Sequence, residues 1–351
     1  MSNPLNSQTY LQTPTLQTPA IDFSEAGKLA LAQVNSVLSE EKKQTTTTSL
    51  VSQTATSISL WQLVQYRSIN NWLTEYSPPP NASNLKKIEG FLEASYHCCE
   101  LEAWEAAWKI ACTRLSCVGD RTLRSQMLLW GYYQELVELY IPLLERVPQL
   151  NEYIYQGLVN CYERLANYEE TLKYSQKLLN LSEEQEKPSL KTFAFLTQGS
   201  IYRYTRKYQQ AIRTYQKSLK ISQEIKNRTY EALSLVGLGL VYSKISFTQA
   251  EINFFEQGLA IAQEIKDQQL EESILEFLGD SYFKFAGNAS LKIGFWEITQ
   301  NNYYQKAREY YQKSLELAIN SQAYPCQIRL LESLLKIIGI ERVKNKKTNC
   351  N

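Results

Sequence analysis

FLTQGSIYRYTRKYQQAIRTYQKSL occupies residues 195–219, and its spacing decides the fold. Phe195, Gln198, Gly199 and Tyr202 stand at offsets 0, 3, 4 and 7, which places them on one face of an α-helix. Nine residues after Tyr202 comes Ala211, followed at steps of four by Tyr215 and Leu219, the face of a second helix. The same marks recur along the chain. Tyr162, Tyr202, Tyr242 and Tyr282 are each 40 residues apart. Tyr155, Phe195, Leu235 and Leu275 precede them by seven; Leu158, Gln198, Leu238 and Leu278 by four; and Gly199, Gly239 and Gly279 precede the last three by three. Phe255 and Leu259 repeat Tyr215 and Leu219, and Ala307, Tyr311 and Leu315 return after 16 additional residues. The glycine reads as room for the partner helix's backbone to approach, and the small residue does the same from the second helix. The aromatic then fills the gap between one hairpin and the next. Such a hairpin cannot bury its apolar face alone, so the units stack into a solenoid.

The bulk composition agrees with long helices: 44% of residues are hydrophobic, and 24 tyrosines face only 13 glycines and 10 prolines. Lys plus Arg (37) balance Asp plus Glu (36), so no strong field points to nucleic acid or to an anionic membrane. The basic run Arg342, Lys344, Lys346 and Lys347 has no interleaved aromatic to stack on bases and reads as a solvated tail. Seven cysteines scattered through helical context favour free thiols in a reducing compartment. The N-terminus lacks the charged start and apolar stretch of a secretory signal, and no run approaches the ~18–20 apolar residues of a membrane span. A cytoplasmic protein is expected, in which the sequons at Asn81, Asn227 and Asn288 have no role.

Residues 1–58 read as a tail holding a short amphipathic helix at 22–40, with Asp22 to Glu25 in capping-box spacing, and a Ser/Thr-rich linker at 44–58. Residues 59–148 read as a helical region of degenerate hairpins. Pro78, Pro79 and Pro80 separate a first helix at 59–75 from the rest, because consecutive prolines cannot continue a helix. Leu92 to Tyr96 with Trp104 to Trp108 form one hairpin; Leu129 to Tyr133, then Leu136 to Leu144, read as helix of the next. The array proper spans 149–341, in units near 152–190, 192–230, 232–270 and 272–318. An insert at 285–301 reads either as an extra helix or as a docking loop, a capping helix follows Pro325, and 342–351 is a polar tail.

The residues Leu275, Leu278-Gly279 and Tyr282, followed by Ala307 and Tyr311, match W-x2-L-G-x2-Y…A-x3-F. The chain thus resembles the tetratricopeptide-repeat family over about 151–318, in a longer, 40-residue form similar to that of cyanobacterial repeat proteins. Departures are Val159 for the glycine, Thr171 and Glu251 at the small position, and the insert. The resemblance implies an all-α fold, a right-handed superhelical solenoid of antiparallel helix hairpins. It also implies a concave groove lined by the first helix of each hairpin. Carried over position by position, that groove holds Asn160 and Arg164; Leu196, Ser200, Arg203 and Tyr204; Val236, Leu240 and Lys244; and Glu276, Asp280 and Lys284. Only Asn160 fits the family's carboxylate-clamp variant.

No catalytic constellation stands out. His97 is the one histidine, and no P-loop, dinucleotide fingerprint or zincin helix is present. Gly237-Leu238-Gly239 lacks a third glycine and belongs to the repeat. His97, Cys98, Cys99, Cys112 and Cys117 fall within 21 residues, but neighbouring helical positions diverge by about 100°, which disfavours a zinc site. The expectation is therefore no enzyme, no metal and no cofactor, and no nucleic-acid or membrane partner. The groove, apolar in its middle with a cation in three of four hairpins, would bind a peptide or protein, as a scaffold or adaptor. A signal- or peptide-responsive regulator gated by its N-terminal segment, and an assembly factor for a larger complex, are the alternatives.

Overall fold

The computed structural model describes residues 59–115, 121–245, 249–293, 302–321 and 324–348, with isolated helical positions at 32 and 35. All but those two residues of the expected helix at 22–40 lie outside the described residues, as do the linker at 44–58, Cys117, and 294–301 of the insert. Among the described residues the chain forms fourteen α-helices and no strand. They fall into two compact units divided at Tyr174/Ser175.

The first unit begins with α1 (Leu60–Thr74), started by a capping box between Ser59 and Gln62. It meets α2 (Asn84–Glu100) where a Cβ on Gly90 would stand 2.5 Å from the Trp72 carbonyl oxygen, so these backbones touch. Helix α2 pairs with α3 (Trp104–Ala111), whose face of Ala106, Ala107, Ile110 and Ala111 is fully buried. The stretch read as continuous helix around Trp130 is two helices. Helix α4 (Leu123–Trp130) stops at Gly131, which takes the left-handed conformation (φ 84°), and α5 (Tyr133–Tyr140) starts afresh. Helix α6 (Asn151–Arg164) seats the ring of Tyr140 against Gly157. Thr171, at the small position of α7 (Tyr168–Glu184), is buried and donates its hydroxyl to the Asn167 carbonyl at 2.7 Å. The division between the units falls within α7.

The second unit is a stack of hairpins: α8 (Pro188–Tyr204) with α9 (Tyr208–Glu224), α10 (Arg228–Ile245) with α11 (Gln249–Glu264), and α12 (Gln268–Ile293) with α13 (Asn302–Asn320). Helix α14 (Tyr324–Thr348) follows. The first residues of the insert extend α12 to Ile293. The signature glycines differ from their expected role in one respect. A Cβ on Gly199 would stand 2.7 Å from the Tyr215 ring, on Gly239 2.6 Å from Phe255, and on Gly279 2.6 Å from Tyr311. Each glycine therefore seats an aromatic ring rather than a backbone. Tyr215 also presses on Gly237 of the next hairpin, so one ring joins two units. The close approach of a second helix occurs three residues beyond the ring, where Ser218 donates to the Thr192 carbonyl at 3.3 Å and Ser314 to that of Glu272 at 3.0 Å.

Helix ends follow a second rhythm absent from the glycine pattern. Ala166, Glu186, Arg206, Lys226 and Lys266, each two residues past a helix, have φ of 56°, 52°, 60°, 54° and 57°. After α8 the Arg206 and Lys207 amides donate to the Arg203 and Tyr202 carbonyls at 3.1 and 2.8 Å, closing a Schellman turn. A left-handed L-residue costs about 1–2 kcal/mol, which glycine avoids at some entropic expense. Lys226→Gly should therefore raise stability by about 0.5–1 kcal/mol in thermal or urea unfolding. Gly239→Ala should lower it by about 1–3 kcal/mol in the same assay, because the Phe255 ring has nowhere to move in the packed core.

Candidate functional site

Within the second unit the repeat carries α8, α10 and α12 in succession, and the C-terminal halves of these helices bring polar side chains together. Arg203, near the end of α8, lies with its guanidinium carbon 4.2 Å from the centroid of the Tyr204 ring. Its Nε is buried without a hydrogen-bond partner. Burial works against its charge, but the phenols of Tyr215 and Tyr204 outweigh it and hold the guanidinium above its ordinary value. Ser200 lies 3.1 Å from the Tyr215 hydroxyl. One hairpin on, Lys244 is exposed in the last turn of α10. Partial burial lowers its pKa, and the like charges of Lys284 and Arg203 lower it further, with Asp280 opposing. Lys244 thus lies within electrostatic range of a cation from each neighbouring hairpin. On α12, Asp280 accepts the Tyr311 hydroxyl at 2.7 Å, and Lys284 is half-buried. Burial and then the charge of Asp280 push the Tyr311 phenol well above its usual value.

The other expected groove residues divide by role. Val236 is buried in the core with Leu240 half-buried against the same cluster, and Leu196 is half-buried against the neighbouring cluster of Ala211, Tyr215, Leu238 and Val241. Glu276 takes a two-point ion pair from Arg329 of α14, at 3.0 Å to Nε and 2.7 Å to a terminal nitrogen, so it holds the terminal helix in place. Tyr204 is exposed at 41% and covers Arg203. Asn160 (half-buried) and Arg164 (exposed) lie on α6 in the first unit. His97, also there, bonds through Nδ1 to the Gln65 amide oxygen at 2.6 Å, while Cys98 is packed in the core.

Two contributors were missed in the sequence, the hydroxyls of Tyr215 and Tyr311. Both sit at the gap-filling aromatic position, which Phe255 shows to need only a ring. A tyrosine there adds an oxygen, and each bonds to a polar residue of the inner helix. The third feature is Glu251, at the small position of α11. It is fully buried and neither carboxylate oxygen has a hydrogen-bond partner. Burial pushes its carboxyl above the usual range, while nearby Ser281 and Lys284 act the other way.

Residues 190–264, from α8 through α11, match the tetratricopeptide repeat family. No curated protein matches the chain. Among solved structures the chain is similar to BtubC (BKLC) from P. vanneervenii, with 15% identity and a TM-score of 0.43 over 66% of this chain and 93% of that one. It is also similar to a signal transduction ATPase with numerous domains from Pyrococcus horikoshii, which carries a tetratricopeptide repeat sensor. There the identity is 17% and the TM-score 0.44, over 80% of this chain but only 43% of that one. A third is the apo form of RapI, at 15% identity and a TM-score of 0.37, over 76% and 87% of the two chains. The fold is thus an all-α solenoid of tetratricopeptide type, and among the described residues no helix is long and apolar enough to cross a membrane.

Because Glu251 has a raised pKa in the folded state, the folded chain binds its proton more tightly than the unfolded chain. Its charge therefore lowers stability in full above the raised folded-state pKa, and the deficit fades as pH falls from there to the unfolded carboxylate pKa. Glu251→Gln should raise the thermal midpoint at pH 7, with the gain vanishing near pH 4 in a scan of the two proteins side by side.

Proposed function

We propose that this protein is a non-catalytic interaction module whose repeat array holds a peptide segment of another protein along α8, α10 and α12. The observation that carries the reading is that Lys244 has a cation from each neighbouring hairpin, Arg203 and Lys284, within electrostatic range; burial lowers its pKa first and these like charges lower it further. Like charges held close together oppose one another, and Asp280 offsets this at Lys244 by less than Lys284 and Arg203 produce it, so a further anion is favoured there. Acidic side chains of a peptide supply it at low entropic expense, because the guanidinium and its tyrosine neighbours are already ordered. Leu196 and Leu240, each half-buried on its own core cluster, leave apolar surface suited to apolar side chains between the acidic ones. Cation–carboxylate recognition of this kind weakens with added salt.

The reading is tested by selecting a random displayed-peptide library on the immobilised full chain. Peptides combining apolar residues with Asp or Glu are expected, with affinities falling as salt rises. Lys244→Glu with Lys284→Glu should weaken their binding at least about tenfold, or about 1.4 kcal/mol, while leaving the helical circular dichroism unchanged. Equal binding by the reversed protein would remove the cationic face from consideration.

A further inference from the structure

Helix α14 has two apolar faces. One closes the core: Leu330, Leu334 and Ile337 are 0%, 9% and 0% exposed. That side is fastened by Arg329 to Glu276 and by the Gln327 amide to the Ala318 carbonyl at 2.8 Å. The other face looks outward. Ile328, Leu331, Leu335 and Ile338 are 60%, 48%, 64% and 37% exposed. Isolated exposed apolar side chains are ordinary, but four at intervals of three, four and three on one helix face form the seam of a helix pair.

A glycine beside that seam points the same way. Five other glycines in the helices of this unit make room for something: Gly199, Gly237, Gly239 and Gly279 seat aromatic rings, and Gly258 meets Val236. Gly339 stands in the middle of α14, exposed, and a Cβ there would meet nothing within 4 Å. Glycine disfavours a helix relative to alanine, so a glycine with no neighbour in its own chain fits a close approach from outside.

We infer that α14 is a self-association surface, through which two copies of this chain pair by antiparallel packing of the outward face. The stripe is its own reverse. Read from either end it is Ile, Leu, Leu, Ile at spacings of three, four and three. A two-fold axis at the level of Ser333 sets Ile328 against the partner's Ile338 and Leu331 against the partner's Leu335, which is the self-complementarity an isologous interface requires. The chain's net charge of +1 puts no strong repulsion between copies. The stripe is short, so the association belongs at the weak end of specific interfaces, with a dissociation constant on the order of 10–100 µM.

Sedimentation equilibrium of the full chain from about 1 to about 300 µM tests this, with a shift from monomer to dimer mass expected across that range. Leu335→Glu, at an exposed position, should raise the dissociation constant at least about tenfold with unchanged helix content. Gly339→Leu should do the same while leaving the monomer's thermal midpoint unchanged or raised, a combination that simple misfolding would not produce. For direction, oxidising a mixture of Ile328→Cys and Ile338→Cys chains should link unlike chains, with the wild-type chain as the blank for native cysteines. A monomer mass throughout the range overturns the inference, leaving the stripe to a segment of its own chain or to a different protein. A dimer that survives Leu335→Glu also overturns it, because the contact then lies elsewhere. Preferential linking of like chains overturns the antiparallel pairing.

Discussion

The second unit depends on a single contact repeated three times, an aromatic ring of one helix lying on a glycine of the helix before it. Without a Cβ at Gly199, Gly239 or Gly279, the ring of Tyr215, Phe255 or Tyr311 reaches the helix surface and fills space that two helices would otherwise leave open. At Tyr215 the ring touches Gly237 of the following hairpin as well, so the contact that closes a hairpin also sets the next one on it. Fold and stacking are in this sense one constraint, as expected where each unit has no complete core of its own.

The candidate site is a by-product of the same contact. Once the ring is seated, its para position emerges beside the inner helix, and a tyrosine carries a hydroxyl there at no cost to the packing. Tyr215 uses it toward Ser200 and Tyr311 toward Asp280. The middle hairpin has a phenylalanine instead and departs from the repeat in a second way, with Glu251 where Ala211 and Ala307 stand in its neighbours. A buried carboxyl without a hydrogen-bond partner at a position that needs only a small side chain is a conflict between local chemistry and packing. Such conflicts concentrate where a chain is shaped by something besides stability. Here it lies close to Lys284 and hence to the row of cations.

A repeat stack must also end. Helix α14 covers the α12–α13 hairpin with Leu330, Leu334 and Ile337, and its Arg329 engages the Glu276 carboxylate of α12. The helix then presents a further apolar stripe to solvent instead of the polar outer face that usually closes an array. One face of α14 thus packs on the hairpin before it, and the other is exposed.

The helical hairpins and the stacking aromatics were legible in the sequence, because periodicity is a local property that survives in one dimension. The 3.6-residue turn maps spacing directly onto a face, and a ring that recurs at one position must pack in one way. Several features could be decided only in three dimensions. The glycines accommodate rings rather than backbones, which depends on where the partner helix crosses. Helix ends fall on lysine, arginine, glutamate and alanine in a left-handed conformation, a choice made by the turn and not by residue preference. Gly131, inside a stretch that reads as helix, ends α4 instead. Among the groove positions, spacing placed Val236, Glu276 and Lys244 alike on the inner helices, yet one is core, one is tied to α14 and one is exposed among other cations. Those fates differ because burial and ion pairing depend on elements distant in the chain, and a single sequence does not record which of them will be neighbours.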